Sequence, residues 1–532
     1  MGVYILSILI VDCLGAGAAG KRFATLDVIG VGPRLVAGIL ESLGYEVDLA
    51  TCDVVLKDPS RLRDHEILMV SGMSSDIESM AKVAKAWGRN HTVAGGPSAV
   101  DYAELLSSGF NYVVWGEAEV CVDKLIKYFE GECSASAVPN LIFKQGSRLI
   151  RNPGPPYAPP QLIWRYTPST KLITSYRYWW CARVYVEVVR GCSNYYRPTL
   201  PLADGRKCID CMKCRKGGLR DRLYCPINIP PGCGYCSVPA LFGPARSRPL
   251  DSIVKEVKEL IRVGVRRIVL SAPDFLDYGR DWLVAPEPLT DPRSPPPNLR
   301  AIELLLKEVT SISEVSSGEV YVMIENIKPN LVNEEVAKLL GEYLRGTTVH
   351  IGLETGCNEH HVALGRPSTV DEVIRAVKLL TREGLRPYIY VIHGLPGETK
   401  KTIKETIKVL KKISKLGVEK VTLYRFTPLK NTAFEGYPKP PPAVKSRARK
   451  LYFTVRKLNF MSKKKLVGQT LKAIGVTSKG GNMLIAYTLP HGPVINVVTE
   501  TPSRYIGKII EVEVTKVVSD RVIEGIVRQN IN

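Results

Sequence analysis

Over the first 130 residues, apolar runs of strand length alternate with amphipathic helical patterns. VYILSILIV (3–11), ILMVSGM (67–73), HTVAGGP (91–97) and YVVWGEAE (112–119) read as strands, and VGPRLVAGILESLGYEV and DIESMAKVAKAWGR carry apolar residues at helical spacing. This alternation predicts an α/β fold with a doubly wound parallel sheet and a ligand at the carboxyl ends of its strands. NPGPPYAPP (152–160) is a proline-stiffened linker. Beyond it, VYVEVV, RRIVLSA, EVYVMIENI, TTVHIGLETG, PYIYVIHGLPGET and VEKVTLYRFTP alternate with helical patterns, including 299–311, 370–383 and 400–415. Six βα units between 184 and 428 predict a partial (β/α)6 TIM-like barrel with its active residues at the carboxyl ends of the strands. A third region follows the linker YPKPPP. VKSRARKLYFTVRKLNFMSKKK reads as a basic amphipathic helix with interleaved aromatics, and TLKAIGV, MLIAYTLP, VINVVTE, KIIEVEVTKVV and RVIEGIV read as five strands of a small β-barrel. The expected domains are 1–150, 161–437 with a cysteine-rich insertion at 193–232, a basic linker helix at 438–465, and 466–532.

Composition changes this picture in two places. A hydrophobic content of 45% and a charged content of 23% are ordinary for a soluble protein. The first apolar run is too short to span a bilayer and has no basic lead-in, so it reads as a buried strand of a cytoplasmic protein without membrane contact. The net charge of +21 is localised: between Gly436 and Thr499 stand twelve Lys or Arg and no Asp or Glu. Such a stretch favours a polyanionic partner, most simply RNA. Seven of the thirteen cysteines fall between Cys192 and Cys236, and in a reducing compartment such clusters are metal ligands more readily than disulfides.

Arg190-Gly191-Cys192, a gap, and then Gly232-Cys233-Gly234-Tyr235-Cys236-Ser237-Val238-Pro239 resemble the cluster loop of the radical S-adenosylmethionine (SAM) enzymes. Their usual spacing is C-x3-C-x2-C, and here forty residues separate the first two cysteines. The resemblance implies that Cys192, Cys233 and Cys236 hold a [4Fe-4S] cluster whose open iron binds SAM, with Tyr235 packed against adenine. Four thiolates would close the site. The competing set Cys225, Cys233 and Cys236 leaves Arg190-Gly191-Cys192 unexplained. Gly352-Leu353-Glu354-Thr355-Gly356 is similar to the strand-four motif whose carboxylate, here Glu354, meets SAM. His393-Gly394-Leu395-Pro396-Gly397-Glu398 resembles the turn near adenine, which implicates Gly394, Pro396 and Gly397. Ser271 to Asp274 falls where the family has a glycine-rich turn for the methionine amino group, but the glycines are missing. Gly365-Arg366-Pro367 and Arg425-Phe426-Thr427-Pro428 have counterparts in methylthiotransferase barrels.

Inside the insertion, Cys208, Cys211, Cys214 and Cys225-Pro226 form C-x2-C-x2-C-x10-C-P, which resembles ferredoxin ligation and points to a second [4Fe-4S] cluster. Zinc is the alternative, since four thiolates also make a closed tetrahedral site. If all four bind, the insertion is an electron relay or a brace; if three bind, sulfur transfer becomes feasible.

The N-terminal region resembles the cobalamin-binding-like domain that precedes many radical SAM barrels, through Ser71-Gly72, Gly95-Gly96-Pro97 and Gly116-Glu117. No DxHxxG follows Asp12, so cobalamin either binds without that histidine or the fold is structural or substrate-binding. Gly15-Ala16-Gly17-Ala18-Ala19-Gly20 matches GxGxxG, but the helix that a dinucleotide site needs does not start there. Cys13 and Cys52 sit where methylthiotransferases place auxiliary ligands, yet no third cysteine appears near residue 90, and both read as small buried hydrophobes. GKIIEVEVTKVVSDRVIEGIV resembles the second half of a TRAM domain. Together these imply a radical SAM enzyme, served by a reductant protein, that modifies tRNA or other RNA bound through 438–472 and the terminal barrel, by methylthiolation or a related radical alkylation. A cobalamin-dependent radical SAM methyltransferase acting on a small molecule or protein, and a non-catalytic RNA-binding protein with structural metal sites and a capping barrel, are the alternatives.

Overall fold

The computed structural model describes residues 6–13 and 27–531; the Gly15–Gly20 run lies outside them. The chain forms two compact units, one built from 1–186, 241–243 and 249–265, the other from 187–240, 244–248 and 266–532.

In the first unit β1 (Ile8–Asp12), β2 (Val47–Thr51), β3 (Ile67–Ser71), β4 (Thr92–Gly95), β5 (Tyr112–Val114), β6 (Leu141–Gln145) and β7 (Arg148–Arg151) make one sheet in the order β2-β1-β3-β4-β5-β6-β7. The first five are parallel and the last two join antiparallel. β1 is buried along its length because both faces are covered. Leu9 and Val11 pack with Trp87 of α2 (Ile77–Trp87) on one face, and Ile8 and Ile10 pack with Leu40 of α1 (Gly32–Ser42) on the other.

The second unit carries the predicted barrel strands. β8 (Arg267–Ser271) pairs parallel with β9 (Tyr321–Ile324), and β10 (Asn326–Ile327), β11 (Thr348–Glu354), β12 (Arg386–His393) and β13 (Lys420–Arg425) form a parallel sheet in that order. β9 and β10 are the single run EVYVMIENI interrupted at Glu325. Val188 N–H donates to the Ser271 carbonyl at 2.9 Å, which seats the chain leading to Cys192 beside the end of β8. Helices alternate with these strands as expected. α3 (Val370–Arg382) shows why: Thr369 and Glu372 close a capping box, and Val373, Val377 and Leu380 bury one face.

The predicted basic helix starts later than its pattern, as α4 (Arg449–Lys464), because the three prolines before Ala443 are followed by a short 3-10 turn. Its Asn459 clamps the backbone of Val421 on β13, accepting from N–H at 2.7 Å and donating to C=O at 2.8 Å. All five predicted tail strands form. β14 (Thr470–Ser478), β15 (Met483–Thr488), β16 (Val494–Val498), β17 (Ile509–Val517) and β18 (Val522–Ile531) close a barrel in the order β14-β15-β16-β18-β17. Ile510, Val512 and Val514 alternate inward along β17. Among the described residues no helix is long and apolar enough to cross a membrane.

Candidate active site

The forty-residue insertion does not separate the split motif in space, because its two ends are stitched together. Gly232 N–H donates to the Tyr196 carbonyl at 2.8 Å, and the buried Arg197 guanidinium donates to the carbonyls of Tyr195, Arg222, Leu223 and Ile229. Asn194 completes the closure: its Nδ2 donates to Cys233 Sγ at 3.3 Å and its N–H to Cys192 Sγ at 3.4 Å. Gly232 sits at φ +93°, and a Cβ there would lie 2.7 Å from Pro239 Cγ, so the turn into Cys233 requires glycine.

Cys192, Cys233 and Cys236 therefore line one cavity of about 200 Å³, together with Tyr235, Lys328, Glu354, Arg366 and Tyr390. Burial pushes the Cys192 thiol up to about 11, against the pull of the Lys328 charge, and burial pushes Cys236 up to about 12. Thiolates form readily here only with a cation present, which suits an iron cluster.

Glu354 ends β11 at φ +59°, a strained conformation for a residue with a side chain. A Cβ on Gly352 would fall 2.4 Å from Glu354 Oε1, so the carboxylate folds back over a bare backbone. Arg366 donates to Glu354 Oε1 at 3.2 Å, to the Tyr235 hydroxyl at 2.6 Å and to the Gly352 carbonyl. Burial raises the Glu354 carboxyl, and Arg366 works against that rise. Arg366 Nε is buried without a hydrogen-bond partner in the structure, a donor left over at the cavity wall. This donor set fits the polar end of SAM.

Lys328, which the sequence pattern did not single out, follows β10 into the cavity. Its Nζ donates to Asp274 Oδ2 at 2.9 Å, Asp277 Oδ2 at 2.7 Å and Ser193 Oγ at 2.9 Å. Asp274 thus anchors a lysine where a glycine-rich turn was expected. Burial raises the Asp274 carboxyl despite Lys328; for Asp277 burial also opposes ionisation, but Lys328 and Arg280 outweigh it and the net shift is downward.

Other expected residues stand elsewhere. Gly394, Pro396 and Gly397 are not among those lining this cavity; Gly394 N–H is held by Glu398 Oε2 at 2.8 Å and the Pro396 carbonyl lies 2.8 Å from His360 Nε2. Cys208, Cys211, Cys214 and Cys225 line a separate small pocket with Arg197, Met212 and Tyr224. Asp210 and Met212 are left-handed, which turns the chain tightly between these thiols, and Asp210 N–H donates to Cys208 Sγ at 3.4 Å. Cys208 and Cys225 pack on the same apolar cluster as Tyr235, around Phe434 and Leu364. Among the described residues no three Cys, His, Asp or Glu side chains converge as on a single metal ion. In the first unit Ser71, Gly95, Gly96 and Gly116 line a cavity of about 60 Å³ at the strand ends. Cys13 and Cys52 are enclosed in apolar core.

Residues 224–410 match the family model of the Radical SAM superfamily. The chain is 41% identical over 525 residues to the uncharacterized protein MK0932 of Methanopyrus kandleri, covering 98% of this chain and 95% of that one. More distant similarity, 26% over 265 residues, 47% of this chain and 52% of the relative, links it to the ribosomal protein uS12 methylthiotransferase RimO of Chlamydia felis. A probable threonylcarbamoyladenosine tRNA methylthiotransferase of Pyrococcus horikoshii is 26% identical over 267 residues, 49% of this chain and 57% of that one. Among solved structures, the radical SAM methyltransferase TsrM of Kitasatospora setae, with cobalamin and a [4Fe-4S] cluster bound, superposes with a TM-score of 0.57 at 15% identity over 82% of this chain and 80% of its own. The cobalamin-dependent SAM radical enzyme OxsB gives 0.56 at 13% identity over 87% and 56%. The structures speak to the fold alone, and the superfamily match sets aside the non-catalytic reading. The chain is a radical SAM enzyme and belongs to the family of Methanopyrus kandleri MK0932.

Proposed function

We propose that this enzyme modifies RNA, tRNA first, by methylthiolation or a related radical alkylation. Cys192, Cys233 and Cys236 would hold the [4Fe-4S] cluster. Glu354, Arg366 and Tyr235 would hold SAM, with the ammonium of Lys328 facing its carboxylate. When bound, a reduced cluster supplies one electron to the sulfonium of SAM and so releases a 5'-deoxyadenosyl radical. The protein's own part is to bury this chemistry and fix its polar partners.

The observation that carries the RNA reading is the tail. Lys450, Lys457 and Lys464 recur every seven residues on α4 and are exposed, Phe453 beside them is 48% exposed, and the attached barrel adds Lys472 and Lys479 without an acid before Glu500. Cations flanking an exposed aromatic suit a phosphate backbone with an unstacked base. Two distant relatives named as methylthiotransferases, one for a tRNA nucleoside, support the transferred group. Nucleoside mass spectrometry of tRNA from a strain lacking this protein tests the reading. Loss of one modified nucleoside is expected, and an unchanged nucleoside profile would contradict it.

A second reading rests on the first unit. Its glycine-lined cavity at the strand ends suits a flat ligand, and cobalamin would make the enzyme a methyltransferase on a small molecule or protein. Purified protein given hydroxocobalamin and desalted should then keep a corrin spectrum. The inserted quartet is proposed to hold a second cluster, because its backbone turns and an N–H directed at Cys208 sulfur match thiolate ligation of iron-sulfur; zinc remains the other metal for the same four thiols.

A further inference from the structure

Tyr390 on β12 lines the cavity shared by the three cysteines, and a polar chain leads from it through the barrel interior. Its hydroxyl lies 2.8 Å from Nδ1 of His350 on the adjacent β11. His350 Nε2 lies 3.3 Å from Nδ1 of His491. His350 is buried, whereas His491, in the loop between β15 and β16, is half-exposed. That loop is seated at the opposite end of the strands from Glu354, where the Leu489 carbonyl accepts from Arg267 Nε at 3.1 Å. The three side chains therefore link the cavity to solvent at the amino-terminal end of the strands.

The hydrogens along this chain can be assigned. Glu325, in the break between β9 and β10, places Oε1 3.6 Å from His350 Nδ1 and favours a hydrogen on that nitrogen. His350 then donates to the phenol oxygen and accepts at Nε2 from His491. The hydrogen of the Tyr390 hydroxyl is not the one in that bond. Tyr388 stacks on His350 with ring centroids 5.4 Å apart, and the Tyr424 ring meets Tyr390 edge-on at 5.4 Å while 49% exposed.

We infer that Tyr390 gives its hydroxyl hydrogen atom to a carbon radical formed in the cavity and is reprotonated through His350 and His491. The inference rests on the reading of this cavity as the SAM site. A phenolic O–H bond is weaker than a primary C–H bond, so the transfer runs downhill. The Tyr390 O–H bond breaks, a C–H bond forms at the radical carbon, and Tyr390 is left as a phenoxyl radical. One electron from the low-potential one-electron reductant that the cluster also needs, entering at the solvent-facing Tyr424 ring, and the Nδ1 proton of His350 restore the phenol. His350 Nε2 takes the Nδ1 proton of His491, which refills from water.

Every hydrogen on this path exchanges with solvent, which makes the test isotopic. The protein, reconstituted anaerobically with iron and sulfide and equilibrated in D2O, is given SAM and dithionite without thiols, and the 5'-deoxyadenosine formed is weighed by mass spectrometry. The wild type is expected to yield mainly singly deuterated product, and Tyr390→Phe at least tenfold less label in whatever product it makes. Freeze-quenched wild type should give a tyrosyl radical signal by electron paramagnetic resonance that Tyr390→Phe lacks. In the metal-free protein, nitrogen-15 NMR should find His350 as the Nδ1–H tautomer. Unlabelled product from the wild type, equal label in Tyr390→Phe, or an Nε2–H tautomer at His350 would overturn the inference and leave the SAM site standing. Absence of 5'-deoxyadenosine with the cluster loaded would overturn both.

Discussion

Replacing Lys328 by methionine removes the cation that two buried carboxylates share. Asp277 keeps Arg280, the Ser193 hydroxyl at 2.8 Å and the Ser193 N–H at 3.2 Å, so it stays ionised. Asp274 keeps only the N–H groups of Leu276 and residue 328, at 3.2 and 2.9 Å, and becomes the stranded charge. Breaking a buried pair from one side costs about 3–5 kcal/mol. Protonation sets a ceiling on that cost: taking a carboxyl with an ordinary pKa near 3.9 to its neutral form at pH 7 requires about 4 kcal/mol. The two figures agree, and the second carries a sign. In the variant the folded state holds a proton on Asp274 that the unfolded state lacks, so the penalty grows with pH and shrinks to about 1.5 kcal/mol at pH 5. Hydrogen exchange of peptides covering 267–277 and 320–335 in metal-free protein reads this unit by itself. The expected loss is about 4 kcal/mol at pH 7 and less than half that at pH 5, with most of it recovered at pH 7 in the double variant Lys328→Met, Asp274→Asn. A loss under about 1 kcal/mol, or one equal at both pH values, would refute the reasoning.

Other consequences follow from named contacts. Gly232→Ala should cost about 1–2 kcal/mol for the left-handed backbone alone, and with its Cβ against Pro239 it should lower iron uptake in reconstitution. Normal iron content and stability would show that the turn tolerates a side chain. Lys450→Gln, Lys457→Gln and Lys464→Gln together should reduce the salt slope of tRNA binding by about 2, near 0.7 per lost phosphate contact; an unchanged slope would count against the RNA face. His361 is fully enclosed, with carbonyls of Ser368, Leu353 and Thr355 on its ring nitrogens, and burial followed by the Arg366 charge lowers it to about 4. Its folded pKa lies below the unfolded value near 6.5, so this contribution is complete above pH 6.5 and is lost as the pH falls towards 4, to a depth of about 3 kcal/mol. His361→Gln should flatten that acid limb in urea titrations.

Much of this arrangement is legible in the sequence because it is local. Continuous apolar runs such as ILIV marked strands covered on both faces, and the heptad of cations on α4 and the alternating IIEVEV marked the tail. Cys192 could be joined to Cys233 and Cys236 across forty residues because the flanking residues of the motif survive on both sides of the insertion. Lys328 could not be found this way. Its role comes from the end of β10 meeting Asp274 after β8 and Ser193 after Cys192, three segments brought together only by the barrel. Tyr390, His350 and His491 were hidden for the same reason, each reading as an ordinary member of its own strand or loop. The HGLPGE turn illustrates the reverse: a short motif matched, while its Gly394 N–H is spent on Glu398 outside the cavity lining.

The central claim is that Cys192, Cys233 and Cys236 together hold the cluster that cleaves SAM. Its most direct test is 5'-deoxyadenosine formed from SAM and dithionite by anaerobically reconstituted wild type beside Cys192→Ala, Cys233→Ala and Cys236→Ala. The account predicts cleavage by the wild type and none above background in each variant, whereas cleavage at the wild-type rate in any one of them would contradict it.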